Sequence, residues 1–433
     1  MLRPLFNYIK RKVPKLSDTE LLALRSGTVH TDRSIFCGDV ILPEPIKKTE
    51  LEKHSTQKNY FNNYVIMDKI VDNILDNHHN ETVYPIKQGS NLIDRVSKSG
   101  LLSLIIDDKY KGYKVSVHQI SNLLTKLSSA NPALGVFVMV PNSLGPAELL
   151  HHYGTNQQKD KYLPKLASGE LIPCFGLTGP NNGSDATGSI DKGQLIEKDG
   201  KLKIRINLNK RYITLAPIAS LCGIAFELVD NDNLLQKHNI KATAGVCVAL
   251  VEKEHPDLRL ETHHNPLNVG FPNGTIKGCI DIDLDQIIGG KDQIGNGWKM
   301  LMECLAAGRG VSLPATANAS SKSLTYGIYS YIQHRNQFRR PLMDMEAVRN
   351  KFIDMVFHTW LIQSSIYYTN TILDFGEKPA VISAIMKQQT TERGREVINH
   401  AMDIYAGSAI CLGENNFIEK FYRAAPVGIT VEG

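Results

Sequence analysis

Apolar residues recur at three- and four-residue steps over Phe61–Leu75 and again over Val117–Ser128, the spacing of one buried helix face. Leu134–Val140 is apolar without a break and reads as a buried helix; Pro146–Tyr153 and Gln157–Leu166 add two shorter ones. The pattern changes near residue 173. Short apolar runs follow, among them Lys203–Asn207, Ala219–Val229 and Ala244–Val251, with turn signals at Asp199-Gly200 and Asn273-Gly274. Helical spacing returns at Trp298 and continues through Ser320–His334, Met345–Phe375 and Ala380–Ala406. An order of helices, strands, then helices predicts an α+β multi-domain chain, not an alternating, doubly wound α/β fold. The expected units are an amphipathic and extended segment over 1–60, a helical domain over 61–172, a β-barrel or sandwich over 173–290, and a helical bundle over 291–433.

Charge sharpens the reading of the first segment. The net charge of +5 equals the five basic residues Arg3, Lys10, Arg11, Lys12 and Lys15, which precede the first acid, Asp18. The remainder of the chain therefore sums to zero, which argues against a nucleic-acid-binding face. Leu2, Leu5, Phe6, Ile9, Val13 and Leu16 alternate with those bases in an amphipathic pattern cut by Pro14. Two readings follow: contact of residues 1–16 with an anionic membrane surface, or a terminal helix packed on its own domain. No run of about 18 apolar residues is visible, so no membrane span is expected. Seven cysteines without a C-x-x-C pair disfavour disulfides and a zinc site and suggest a reducing, cytoplasmic setting, with the inner membrane face as the surface in reach.

Five segments carry candidate chemistry. Leu177-Thr178-Gly179-Pro180-Asn181-Asn182-Gly183-Ser184-Asp185 is a polar Gly loop able to turn backbone N–H groups towards an anion, or an ordinary connection. Tyr212 and Thr214 share one face of a predicted strand, where they could cover a planar ring or simply pack. Gly308-Arg309-Gly310 is costly inside a helix, which suggests a ligand close to the backbone or a kinked junction. Three arginines in His334–Arg340 suit a phosphate or a solvated helix end. Glu432 lies in an apolar stretch that favours a general base, or in a frayed terminus.

Taken in order, these segments resemble the acyl-CoA dehydrogenase family. Gly154–Glu170 looks like a signature segment of that family. Val140–Leu150, Lys210–Pro217, Leu305–Gly310 and Ile429–Gly433 are most similar to its large bacterial β-oxidation subgroup, the FadE type. The resemblance implies FAD as cofactor and a fatty acyl-CoA as substrate. It places Phe175, Leu177, Thr178, Gly183 and Ser184 on the flavin loop, with Ser184 also near the acyl-CoA. Tyr212 stands where most members carry Trp, followed by Thr214. Arg309 matches the arginine on the CoA portion. Arg335, Phe338, Asp403 and Gly407 match residues that reach FAD in a neighbouring subunit, which implies a homodimer or homotetramer. Glu432 falls on the catalytic base, with Gly433 beside the substrate.

The implied reaction is α,β-dehydrogenation, with electrons passed on to an electron-transfer flavoprotein. Gly179, Asp403 and Lys111-Gly112 depart from the commoner family pattern. The family continues beyond the Glu-Gly pair, so a C-terminally truncated, incomplete helical domain is the expectation. An oxygen-reoxidised acyl-CoA oxidase would differ by consuming oxygen without a dye. A decayed relative that binds acyl-CoA or a partner without catalysis would be colourless and take up no FAD.

Overall fold

A computed structural model of the chain describes residues 2–12, 29–38, 55–143 and 145–431, together with positions 21, 25 and 27. Helix α1 spans Leu2–Lys12 and α2 spans Val29–Cys37. Within the segment expected to be amphipathic and extended over 1–60, the described residues thus include α2, and α3 already starts at Ser55 and runs to His78. Then come α4 (Leu92–Lys98), α5 (Val117–Ala130), α6 (Pro132–Ser143), α7 (Pro146–Tyr153) and α8 (Asn156–Ala167).

Local sequence explains where these helices begin. Ser116 accepts the Gln119 N–H while the Gln119 side chain returns to the Ser116 N–H, and Thr155 and Gln158 repeat that capping box. Gln158 also donates to the carbonyls of Asp285 and Ile287 at 2.7 Å and accepts the Gly289 N–H. The signature-like segment thus ties a helix to the exit of the β domain. The stretch Pro132–Tyr153, which holds α6 and α7, is by length and composition apolar enough to cross a membrane, and 94% of its most apolar window is buried inside the protein. Its first part, α6, lies in the core, where Leu134, Phe137 and Val138 are inaccessible to water.

The middle domain is one seven-stranded sheet: β1 (Pro173–Gly176), β2 (Lys192–Lys198), β3 (Lys201–Thr214), β4 (Leu221–Val229), β5 (Val246–Glu252), β6 (Arg259–His263) and β7 (Asn273–Asp283). A short α9 (Leu234–Lys237) sits between β4 and β5. One edge of β4 pairs with β5; the other takes β1 and β2 end to end, both parallel. Asp199 and Gly200, both with positive φ, turn β2 into β3 as the sequence suggests. Asn273-Gly274 is not a turn: it opens β7 and pairs with Thr214 and Ile213. Buried residues of α3, α5 and α6 form one continuous core with the sheet, so the helical and β domains share an interior.

The C-terminal half begins with a single helix, α10 (Gly297–His334), which replaces the two separate segments read from the sequence. A two-stranded hairpin, β8 (Asn336–Gln337) and β9 (Arg340–Pro341), leads to α11 (Glu346–Asp374), α12 (Ala380–Tyr405), the short α13 (Gly407–Ile410) and α14 (Glu419–Thr430). This bundle has its own core around Leu324, Ile328, Met355, Val397 and Ile418.

Candidate functional site

The loop after β1 is built on a buried cation. Lys210 is fully inaccessible, 3.2 Å from the Asp191 carboxylate, and its ammonium donates to the Leu177 carbonyl at 3.1 Å. Burial pulls its pKa below the usual lysine value, and Asp191 opposes that shift. Asn182 folds beneath the loop and donates to the carbonyls of Leu177 and Ala186. This scaffold leaves Gly183 and Ser184 exposed and Thr178 half-buried. A Cβ added at Gly183 would meet nothing within 4 Å, so space is open above the loop. Phe175 and Leu177 are half-buried at its base.

The second wall is the expected strand with a bulge in it. Between Lys210 and Ile213 the β3–β7 register shifts, and Tyr212 takes φ +59° in a bulge. Beyond the bulge Ile213 is buried while Tyr212 and Thr214 keep access to solvent. The Arg211 N–H donates to the Thr178 carbonyl, which joins the bulge to the loop. Tyr212 is 56% exposed, with the Arg211 guanidinium 5.0 Å from its ring centre and the His264 ring edge-on at 5.0 Å. Thr214 accepts from Asn273, whose own carbonyl accepts the His264 N–H. Arg211 Nε, His264 Nε2 and Asn273 Oδ1 are buried without a hydrogen-bond partner. Such atoms call for a missing polar partner.

The third wall is helical. Gly308 and Gly310 are explained by packing: a Cβ at Gly308 would lie 2.8 Å from the Ser143 carbonyl, and one at Gly310 would lie 2.9 Å from Ser383 Cβ. Helix α10 passes straight through, so a close ligand is not required to account for these glycines, and no junction breaks the helix there. Arg309 is half-buried, with Nε unpartnered. Ser143, Gly145, Leu149, Phe175, Leu301 and Cys304 line a small cavity that links the β1 loop to this crossing. Burial raises the Cys304 pKa, so its thiol stays protonated.

A larger, mainly apolar pocket lies one turn deeper along α6 and α10, lined among others by Val136, Met139, Leu313, Ile398, Phe421 and Val427. Its roof is α14, whose last turn is held by a 2.5 Å hydrogen bond from Lys387 Nζ to the Ile429 carbonyl. Ser383, one turn before Lys387, touches Gly310. The final helix therefore ends beside the Arg309 turn. Glu432 and Gly433 themselves lie outside the described residues.

Arg335, Phe338, Asp403 and Gly407 gather elsewhere, at the far end of the bundle. Tyr331 and Tyr405, with ring centres 4.6 Å apart, join the ends of α10 and α12 there. Phe338 is 87% exposed at the tip of the β8–β9 hairpin, and Asp403 pairs with Lys351. Sequence reasoning missed Lys210 as a buried anchor and missed Arg211, His264 and Asn273. The adjacent His263-His264 pair was the one visible signal.

Residues 65–170 match the N-terminal domain of acyl-CoA dehydrogenases and residues 295–433 match the C-terminal domain. Among curated proteins, an acyl-CoA dehydrogenase of Bacillus subtilis is 26% identical over 79% of this chain and 86% of the relative. A 3-(aryl)acrylate reductase of Clostridium sporogenes is 25% identical over 79% and 86%. The probable acyl-CoA dehydrogenase FadE10 of Mycobacterium tuberculosis is 25% identical over 77% of this chain and 49% of the relative. Among solved structures, butyryl-CoA dehydrogenase of Megasphaera elsdenii superimposes with a TM-score of 0.73 at 20% identity, covering 87% of this chain and 94% of that one. PigA, solved with FAD and proline, gives 0.72 at 19%, covering 88% and 94%.

Proposed function

The chain belongs to the acyl-CoA dehydrogenase family, and from that premise we propose that it is a FAD-dependent dehydrogenase that converts fatty acyl-CoA to trans-2-enoyl-CoA, the opening step of β-oxidation, as a FadE-type enzyme. One observation carries this reading. The polar loop, the bulge with its orphaned polar atoms, and the Ser143–Gly308 crossing accompany a mainly apolar pocket between α6, α10 and α14.

The residues fit a flavin. Gly183 leaves room for a ring or ribityl chain, Thr178 and Thr214 offer hydroxyls, and Tyr212 offers an exposed aromatic face. FAD, when bound, supplies the acceptor for the hydride from the substrate β-carbon. Glu432 removes the α proton with its carboxylate. Charge then grows on the thioester oxygen, and by the family resemblance the backbone N–H of Glu432 is the donor to it. Arg309 holds the CoA portion through its guanidinium. The apolar walls of Val136, Met139 and Leu313 take the acyl chain and keep water from the reacting carbons.

The finer assignments belong to the same reading. Exposed Ile353, Val356, Phe357 and Trp360 follow one another at helical spacing on α11, which supports a homodimer or homotetramer that buries them. The hairpin with Arg335 and Phe338 then reaches the neighbour's cofactor. An electron-transfer flavoprotein takes the electrons. Helix α1, with Arg3, Lys10, Arg11 and Lys12 exposed, supports contact with an anionic membrane surface on the cytoplasmic side.

Anaerobic mixing of the FAD-loaded protein with acyl-CoAs of graded chain length tests the function: the flavin absorbance bleaches with a fatty acyl-CoA. A colourless protein that takes up no FAD overturns it. Glu432→Gln is expected to keep FAD and lose at least about 1000-fold in turnover. Retained turnover of palmitoyl-CoA in that variant would sink the assignment of the base.

A further inference from the structure

We propose that Arg211 and His264, flanking Tyr212 at the β3 bulge, are flavin-contacting residues that set the reduction potential of the bound cofactor. The inference rests on the FAD reading above. Its basis is a group of three side chains with no structural reason to be assembled. Tyr212 adopts a left-handed backbone and stays 56% exposed, a conformation uncommon for an aromatic residue. The Arg211 guanidinium lies 5.0 Å from its ring centre and the His264 imidazole packs edge-on at 5.0 Å.

The polar ends of the flanking residues are unused. Arg211 spends one terminal nitrogen on the Pro180 carbonyl at 3.3 Å, while its Nε–H is buried and unpartnered. His264 Nε2 is likewise buried without a partner, as is Asn273 Oδ1 beside Thr214. The chemistry on offer is a fixed cation, an imidazole nitrogen and an amide oxygen around an exposed aromatic face. That set suits the edge of a planar heterocycle bearing both carbonyl acceptors and an N–H donor, which the flavin ring has.

A charge placed at such an edge has a consequence. FAD carries more negative charge when reduced than when oxidised at neutral pH. A nearby guanidinium, and a donor from His264, therefore bind the reduced form more tightly and raise the potential. The flanking groups act through the cofactor, not on the substrate.

The test compares wild-type holoprotein with Arg211→Gln, Arg211→Lys and His264→Gln by anaerobic redox titration. Arg211→Gln is expected to lose about tenfold in the preference for reduced over oxidised FAD, a fall of about 30 mV for a two-electron couple. Arg211→Lys restores most of it, and His264→Gln shifts the potential in the same direction by less. In parallel, the wild-type apoprotein labelled with ¹⁵N-histidine is titrated with FAD: the His264 ring signals move and those of His238, which faces Glu197 beyond α9, do not. Unchanged potentials in folded variants, or unmoved His264 signals, overturn the inference. Failure of the wild-type protein to bind FAD at all overturns instead the function it rests on. Should a variant fail to fold, the histidine signals decide.

Discussion

Asp374, at the last turn of α11, accepts the backbone N–H of Val117 at 2.7 Å and that of His118 at 3.1 Å. A residue 257 positions away thus caps α5 at its first turn, which local sequence caps through Ser116 as well. Asp32 on α2 does the same for α12, accepting the N–H of Ile382 at 3.0 Å. These two carboxylates join the N-terminal and C-terminal helices around the sheet.

Burial raises the Asp374 pKa, and the two backbone hydrogen bonds only partly offset it. The folded chain therefore holds this proton more tightly than the unfolded chain. The stability it contributes is full below about pH 4, the usual carboxylate value, and falls as pH rises through the raised pKa. Asp374→Asn keeps an acceptor and removes that pH dependence. Asp374→Ala leaves two N–H groups unpartnered and costs about 1 kcal/mol. Urea denaturation between pH 4 and pH 7 reads both; an unchanged slope with pH in Asp374→Asn would refute the account.

Gly310 and Gly183 respond oppositely to the same substitution. Gly310→Ala forces a methyl against Ser383, so it lowers the melting temperature despite a helix-propensity gain of about 1 kcal/mol. Gly183→Ala meets no protein atom and leaves the apoprotein's melting temperature unchanged, while FAD affinity falls at least about tenfold. Thermal melts with and without FAD separate the two effects.

Lys210→Met removes the cation from Asp191 beneath the loop and leaves the Leu177 carbonyl with Asn182 as its donor. The expected loss is about 3 kcal/mol, since breaking a buried pair leaves an uncompensated charge. Adding Asp191→Asn recovers most of it. Chemical denaturation of the single and double variants measures the recovery, and equal losses in both would exclude the buried pair as the cause.

Leu313 lines the apolar pocket one turn beyond Arg309. Leu313→Trp fills its mouth, so palmitoyl-CoA turnover drops sharply while butyryl-CoA turnover persists. A uniform loss across chain lengths would place the acyl chain elsewhere.

What the sequence by itself determined was the identity and order of the elements. Helical spacing over Phe61–Leu75 and Val117–Ser128, the unbroken apolar run Leu134–Val140 and the Asp199-Gly200 turn all have their counterparts in the fold. Each is a local property: periodicity records which face of a segment is buried, and turn residues record backbone preference. Periodicity does not record the partner. Gly308 and Gly310 read as a ligand's approach because nothing near them in the chain shows Ser143 or Ser383 pressing on the helix. The bulge at Tyr212 does not show in the strand's own residues because it depends on the register with β7, whose residues lie about 60 positions away. Tertiary packing alone brought His264 to Tyr212, buried Lys210 under the loop and set the last helix beside Arg309.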